Sequence, residues 1–196
     1  MKQMMKRILN AIFPMVTNYK VNKKTRSKIT STKGILYDLE NLGNINLDEL
    51  RERYADTLRV KDKLEDKAKT NVMGVTISIT LIMGASNLLS VINGKFCQAS
   101  FVVWFTFVLF IVSVTYMLFA GIFTIRMLIS ENIKYVISLE NVAKGGDELR
   151  NDYSIRIAQN QFANTIRNNY VYTSYECIRN AFICLFIVFV FAAIPI

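Results

Sequence analysis

The sequence contains no histidine, and this absence excludes several kinds of chemistry at once. Ser–His and Cys–His nucleophilic catalysis and His-ligated metal sites all require an imidazole. The three cysteines, Cys97, Cys177 and Cys184, are odd in number and lack CxxC spacing, so they indicate neither a zinc site nor a disulfide framework. None of the eight glycines belongs to a GxGxxG or GxxxxGK[ST] motif. We therefore expect no enzyme activity, no metal and no cofactor.

Charge is absent from three long stretches, although 20% of the residues in the whole chain are charged. Phe101–Ile125 has twenty-five uncharged residues without a proline, and Asn71–Ile92 has twenty-two. At about 1.5 Å per residue, either helix is long enough to cross a hydrocarbon layer about 30 Å thick. Ala181–Ile196 reaches only about 24 Å, but Cys177 and Ile178 can extend it. We therefore predict three transmembrane helices, at 71–92, 101–125 and 181–196.

The first of these spans carries small and polar residues at helical spacing. Thr76, Thr80, Gly84 and Asn87 lie at i, i+4, i+8 and i+11, which places them on one face. Small and hydroxyl-bearing residues let membrane helices approach closely and hydrogen-bond to each other. We interpret this face as a packing surface against neighbouring helices or, alternatively, as a water-lined oligomer or pore surface.

The first seventy residues are basic, with sixteen Lys and Arg against nine Asp and Glu, and the whole chain has a net charge of +9. Such a surface suits nucleic acid or anionic lipid, and lipid is favoured beside membrane spans. Apolar residues recur at helical spacing in 1–19, so this segment is either an interfacial amphipathic helix or a helix packed on the protein itself. Residues 20–33, with six Lys and Arg and no acid, are interpreted as a solvated linker.

A long helix is predicted to enter the first span without interruption. Asn46 suits its N-cap, Asp48 and Glu49 suit its first turn, and no helix breaker occurs before Asn71. A shorter helix is predicted upstream, at 35–42, because Gly43 is suited to end it.

The second half of the chain is predicted to form two further long helices. Arg126–Val142 continues the second span, and a break at Lys144–Asp147 precedes a helix from Glu148 toward Asn180 that runs into the last span. This last helix is unusually rich in amides. One interpretation is a solvated or helix-packing face, and the other is a site for a polar or phosphorylated ligand whose anion is bound by arginine. The candidate ligand face consists of Arg156, Asn160, Asn164, Arg167 and Asn168.

Lys and Arg are distributed unequally among the segments that flank the spans. Residues 1–70 carry sixteen and 126–180 carry seven, but the 93–100 loop carries only Lys95. Because cytoplasmic segments are enriched in Lys and Arg, we place 1–70 and 130–180 in the cytoplasm, and the loop and the C-terminus outside. The predicted fold is an all-α integral membrane protein whose three spans are continuous with a cytoplasmic helical head. Its predicted parts are 1–70, a two-helix segment over 71–129, a helical segment over 130–180, and the terminal span 181–196.

Two features of the sequence resemble a known group of proteins. The pentapeptide Leu64–Ala68 (LEDKA) leads directly into the first span, and the Asn-rich helix over 147–180 leads directly into the last. From about residue 50 to the end, this architecture resembles the small membrane effectors of bacterial antiphage systems. The Pycsar transmembrane effectors are the most similar, with SLATT-type effectors and CRISPR-associated accessory membrane proteins as neighbours. The resemblance implies a protein that a phage-triggered signal, often a nucleotide second messenger, converts into a membrane-impairing assembly.

From these observations we expect a non-enzymatic effector of bacterial antiviral defence that oligomerises and impairs the inner membrane. The alternative is a membrane-anchored adaptor that recruits or regulates a soluble defence partner, such as a CRISPR effector. An enzyme acting on lipid or nucleotide is a third class, but no spaced acidic pair within a span supports it. The expected partners are the lipid bilayer, further copies of the chain, and a nucleotide second messenger or soluble defence protein, without direct nucleic-acid binding. The expected location is the bacterial inner membrane, with several spans and a cytoplasmic N-terminus.

Overall fold

The computed structural model describes residues 4, 9–30, 46–96, 100–130 and 135–194, and these residues form helices without any strand. The helices are α1 (Pro14–Thr30), α2 (Leu47–Lys95), α3 (Ser100–Ser130), α4 (Leu139–Lys144) and α5 (Gly146–Ala193). Residues 9–12 are also helical. The prediction of an all-α fold is confirmed for the described part of the chain.

Three of the helices are long and apolar enough to cross a membrane. They are α2, the 101–129 portion of α3, and α5. They contain the predicted spans at 71–92 and 101–125, and α5 contains residues 181–193 of the span predicted over 181–196. The prediction that the first and last spans continue into long polar helices is also confirmed, because α2 extends over 49 residues and α5 over 48 without interruption. At its start, α2 follows Asn46 directly, and the Asn46 carbonyl accepts the Leu50 N–H at 3.1 Å.

The chain divides into two compact units, which we name by their composition. The apolar unit comprises Met1–Met15, Lys69–Ile125 and Tyr172–Ile196, and the polar unit comprises Val16–Ala68 and Arg126–Val171.

The core of the apolar unit is a cluster of buried side chains from α3 and α5. Tyr116, Met117 and Ala120 of α3 pack against a matching set from α5, and partly buried residues of α2 cover this cluster. Hydroxyl groups join the helices, since Ser113 donates to the Ala181 carbonyl at 3.0 Å and Ser174 donates to the Ala120 carbonyl at 3.0 Å. Close packing with hydroxyl hydrogen bonds is the usual way in which helices associate in lipid, where burial of apolar surface gives no driving force.

Within the apolar unit, α2 and α5 run parallel and α3 runs against them. A Cβ at Gly74 would lie 3.6 Å from Ile178, and the Lys95 ammonium donates to the Ala192 carbonyl at 2.8 Å. The start of α3 lies beside the end of α5, where the ring centroids of Phe105 and Phe191 are 6.1 Å apart. The end of α2 and the end of α5 therefore lie at one end of this unit, which agrees with the parity of the predicted topology.

The polar unit is held together by side-chain amides. Asn18 of α1 donates to the Asn169 carbonyl at 2.8 Å, and Asn22 Oδ1 accepts from Asn169 Nδ2 at 2.8 Å. On α2, the Thr57 carbonyl accepts from Asn164 Nδ2 at 2.7 Å. These bonds attach α1 and α2 to the same stretch of α5.

The prediction that the second span continues as a helix to Val142 is wrong. Helix α3 ends at Ser130, residues 135–138 are not helical, and α4 begins at Leu139. Side chains of α5 hydrogen-bond to this segment, because Asn160 bonds to both the N–H and the carbonyl of Tyr135, each at 3.2 Å. When tertiary partners already hydrogen-bond to the backbone N–H and C=O groups of a segment, helix formation adds less stability there. The spacing of apolar residues in the sequence does not reveal such tertiary hydrogen bonds.

The N-terminal region also differs from its prediction. Residues 20–30 are helical as part of α1, so the interpretation of a linker over 20–33 is wrong for this portion. The predicted helix over 1–19 is described only at residue 4 and from residue 9, where it is interrupted at Phe13 before α1 begins at Pro14. Proline is favoured in the first turn of a helix, because its missing N–H needs no partner there. The predicted helix over 35–42 lies outside the described residues.

The start of α5 lies two residues earlier than predicted. Gly145 and Gly146 have φ values of 66° and 60°, and α5 begins at Gly146 rather than at Glu148. Asp147 therefore lies inside the first turn, where its negative carboxylate interacts favourably with the positive N-terminal end of the helix dipole.

Candidate functional site

The polar face of α2 points away from the core of the apolar unit. Thr76, Thr80, Gly84 and Asn87 are all exposed, and we call these four residues the α2 stripe. The opposite side of the same helix is buried, with Ser78, Ala85 and Ile92 fully covered. The prediction that the stripe lies on one face is consistent with this pattern, and that face is not covered by the described residues of its own chain.

The members of the α2 stripe differ in how their polar groups are satisfied. Thr76 donates to the Val72 carbonyl at 3.0 Å, and Thr80 donates to the Thr76 carbonyl at 3.3 Å. A Cβ added at Gly84 would meet no atom within 4 Å. Asn87 makes no hydrogen bond to any described residue. The threonines therefore need no external partner, whereas the Asn87 carboxamide has none inside the described part of the chain.

The depth of Asn87 along α2 makes this unsatisfied carboxamide significant. The helix carries no charge between Lys69 and Lys95, and Asn87 lies eight residues before Lys95, or about 12 Å along the axis. In a bilayer this position falls within the hydrocarbon layer, where no water is present to hydrogen-bond the amide. A polar group buried without a partner costs free energy, so the position favours a neighbour that can hydrogen-bond to it.

Three residues of the candidate ligand face are inside the polar unit. Asn160, Asn164 and Arg167 are only 2%, 7% and 1% exposed. Asn160 bonds to the backbone of Tyr135, as described above, and Asn164 Oδ1 accepts from Arg167 Nη1 at 2.6 Å. These side chains join helices and loops within the unit, in agreement with the helix-packing interpretation.

The other two residues of that face are located differently. Arg156 is partly buried and forms an ion pair with Asp152, in which Nε donates to Oδ1 at 3.0 Å. Nη1 of Arg156 also donates to Gln159 Oε1 at 3.0 Å. Asn168 is exposed and lies, with Asn164, along an open groove of about 550 Å³ that α2 and α5 form. Arg156, Asn160 and Arg167 do not line this groove. Of the five residues, only Asn164 and Asn168 therefore line this groove.

A second set of residues in the polar unit was not singled out by the sequence. Asp152 is buried and accepts the Ser138 N–H at 2.8 Å, and Tyr54 donates its hydroxyl to the Tyr135 carbonyl at 3.2 Å. Burial, with the neighbouring Tyr153 as a smaller cause, raises the pKa of Tyr54 above 10.0. The only signal in the sequence was the i, i+4 spacing of Asp152 and Arg156. It does not reveal that the carboxylate also binds a distant backbone N–H.

Helix α1 presents a basic face to solvent. The helix contains no acidic residue, and its buried side is formed by Asn18, Asn22 and Thr25. The cations on its exposed side are Lys20, Lys23, Lys24, Arg26 and Lys28. The amide bonds to α5 thus fix the direction in which this charge points within the polar unit.

Among the described residues, no group of three or more Asp, Glu or Cys side chains has the arrangement of a metal site. No protein-family model, curated protein or solved structure matches the chain. The resemblance at Leu64–Ala68 and in the Asn-rich helix consequently stays a prediction from the sequence.

Proposed function

We propose that this chain is a non-enzymatic membrane protein that self-associates through the α2 stripe, and that the assembly impairs the barrier of the membrane in which it lies. The observation that carries the proposal is Asn87, whose carboxamide is exposed within an apolar span and makes no hydrogen bond to a described residue. A second copy offers the same carboxamide at the same depth, and two carboxamides can donate to and accept from each other.

The rest of the α2 stripe is suited to this contact. Gly84 lies one turn from Asn87 and leaves room for the backbone of another helix to approach. The threonine hydroxyls, already bonded to their own helix, add little bulk and no unsatisfied donor. A pair of α2 helices could therefore approach closely and bury Asn87 with its hydrogen bonds made.

The setting that we propose for this activity is the bacterial inner membrane during phage infection. This part of the proposal rests on the resemblance to antiphage membrane effectors, and it includes a trigger such as a nucleotide second messenger or a soluble defence protein. Helices α2 and α5 support such triggering, because each joins a polar segment to an apolar one without a break.

The proposal is tested by measuring membrane potential in bacteria that express three versions of the chain. High expression favours association by mass action, so we expect the wild type to depolarise the membrane. We expect Gly84→Leu to abolish depolarisation, because the new side chain fills the space needed by a second helix, while its Cβ meets no atom within 4 Å. Gly94→Leu is the matched control, since a Cβ there also meets nothing within 4 Å but lies beyond the stripe.

Two results would contradict the proposal. One is a wild-type chain that reaches the membrane and leaves the potential unchanged at every expression level and with every trigger. The other is depolarisation by Gly84→Leu equal to that of the wild type at equal abundance.

The basic face of α1 favours a second candidate function, a membrane-anchored adaptor that binds an acidic soluble partner. Its five exposed cations face no acid on their own helix, and such a surface steers association with negatively charged proteins. Charge reversal at Lys23, Lys24, Arg26 and Lys28 should then release a copurifying partner while the membrane potential stays unchanged. A partner that remains bound to the reversed variant would contradict the adaptor function.

A further inference from the structure

An apolar groove follows one face of α5 within the apolar unit. It has a volume of about 480 Å³ and is lined by Tyr175, Ile178, Arg179, Phe182, Ile183 and Phe186. These residues recur at the spacing of one helical face, and Ile183 and Phe186 are more than half exposed. We call this surface the α5 groove.

The two ends of the α5 groove differ in polarity. Tyr175 and Arg179 lie at one end, whereas Ile183 and Phe186, one to two turns further along the helix, provide only hydrocarbon and aromatic surface. Arg179 is the last charged residue of the chain, and Ile194 lies fifteen residues beyond it, or about 22 Å along the helix. In a bilayer, the Arg179 end is therefore close to a headgroup layer, and the Phe186 end is within the acyl chains.

The charge that the groove presents is positive, although Arg179 has an acidic partner. Arg179 forms an ion pair with Glu176, but 41% of the Arg179 side chain is exposed against 8% of the Glu176 side chain. The carboxylate is covered, and part of the guanidinium remains open to the surroundings. The hydrogen bonds of this guanidinium to Glu176 and to the Asn180 amide oxygen use Nε and Nη2. Among the described residues, the two N–H groups of Nη1 have no acceptor and remain for a further anion.

We propose that the α5 groove is a binding site for a phospholipid with an anionic headgroup. Arg179 would bind the phosphate, and an acyl chain would lie along Ile183 and Phe186. An amphiphile whose polar and apolar parts follow each other in this order matches the groove along its whole length, and guanidinium groups bind phosphate with charge-assisted hydrogen bonds. Tyr175, with its apolar ring and polar hydroxyl, belongs at the same interface.

The experiment measures the thermal unfolding midpoint of the purified full chain in neutral detergent, with added phosphatidylglycerol or phosphatidylcholine. We expect phosphatidylglycerol to raise the midpoint of the wild type more than phosphatidylcholine does, because a ligand that binds only the folded state stabilises it. The test variant is Glu176→Gln with Arg179→Gln, which removes both charges and leaves no unpaired buried carboxylate. It should bind phosphatidylglycerol about tenfold or more weakly and lose the difference between the two lipids.

Two control variants make the result specific to the groove. Lys24→Gln removes an exposed cation from α1 and should keep the full lipid difference, which excludes general attraction to the basic protein. Arg179→Lys should retain part of the difference, because the charge remains while the planar fork is lost. An equal effect of both lipids on the wild type, or an undiminished difference in the double variant, would overturn the proposal.

Discussion

Replacing Asn87 by leucine should weaken the association of the chain in membranes without disturbing the single protein chain. The carboxamide makes no hydrogen bond to a described residue and lies on the exposed side of α2, so its loss breaks no hydrogen bond within the described part of the chain. Leucine has a similar size and is compatible with both helix and lipid.

The expected size of this effect follows from the hydrogen bonds that Asn87 would form between copies. Interhelical hydrogen bonds of polar side chains in membranes are worth about 0.6–2 kcal/mol. At about 1.4 kcal/mol per factor of ten, the association constant should fall roughly 3- to 30-fold. Thr80→Val is the matched control, because its hydroxyl already bonds to its own helix, and it should change association less than the Asn87 variant.

The assay is energy transfer between donor- and acceptor-labelled copies in liposomes, measured over a range of protein-to-lipid ratios. The wild type should associate at lower protein density than the Asn87→Leu variant, and circular dichroism should show equal helix content. Identical association curves for wild type and Asn87→Leu would refute the reasoning, because the carboxamide would then have no partner in a second copy.

Three further predictions concern the interior of the two units. Asn164→Ala should lower the free energy of unfolding by about 1–3 kcal/mol in denaturation monitored by circular dichroism, because it removes two buried hydrogen bonds, one to the Thr57 carbonyl and one from Arg167. Asn168→Ala, at an exposed position, should change it by less than about 0.5 kcal/mol, and similar losses would contradict the assigned roles. Ser113→Ala should lower thermal stability by about 0.5–1.5 kcal/mol, since it removes the bond to the Ala181 carbonyl, and an unchanged midpoint would show that this bond contributes nothing. The raised pKa of Tyr54 stabilises the fold fully below pH 10 and less as the pH rises through the folded-state pKa, so Tyr54→Phe should reduce the loss of stability as the pH rises above 10.0; an unchanged pH profile would contradict this.

The long helices were predictable because their determinants are local. The uncharged runs at 71–92 and 101–125 exceed the length needed to cross a bilayer, and no helix breaker lies between Asn46 and Asn71. The face that contains Thr76 and Asn87 also follows directly from helical periodicity. Its exposure does not follow, because it depends on which neighbours α3 and α5 provide.

The connections were mispredicted where tertiary hydrogen bonds decide the backbone. Asn160 and Asp152 bind the backbone of residues 135–138 and keep this segment from forming a helix. The local sequence around Tyr135 does not indicate these hydrogen bonds, because Asn160 and Asp152 lie many residues away. In α1 the tertiary bonds act in the opposite direction: Asn18 and Asn22 bond to Asn169 and hold a helix against α5, where charge density alone suggested a linker. The α5 groove was missed because its polarity became evident only from the unequal burial of Glu176 and Arg179.

The central claim is that two copies meet at the α2 stripe, and cysteine cross-linking in native membranes tests it most directly. In a background with Cys97, Cys177 and Cys184 replaced by serine or alanine, Gly84→Cys should form a covalent dimer on mild oxidation, because a disulfide requires Cα atoms within about 7 Å. Leu118→Cys, at an exposed apolar position on α3, should remain monomeric. A Gly84→Cys chain that stays monomeric, or that cross-links no better than Leu118→Cys, would contradict the claim.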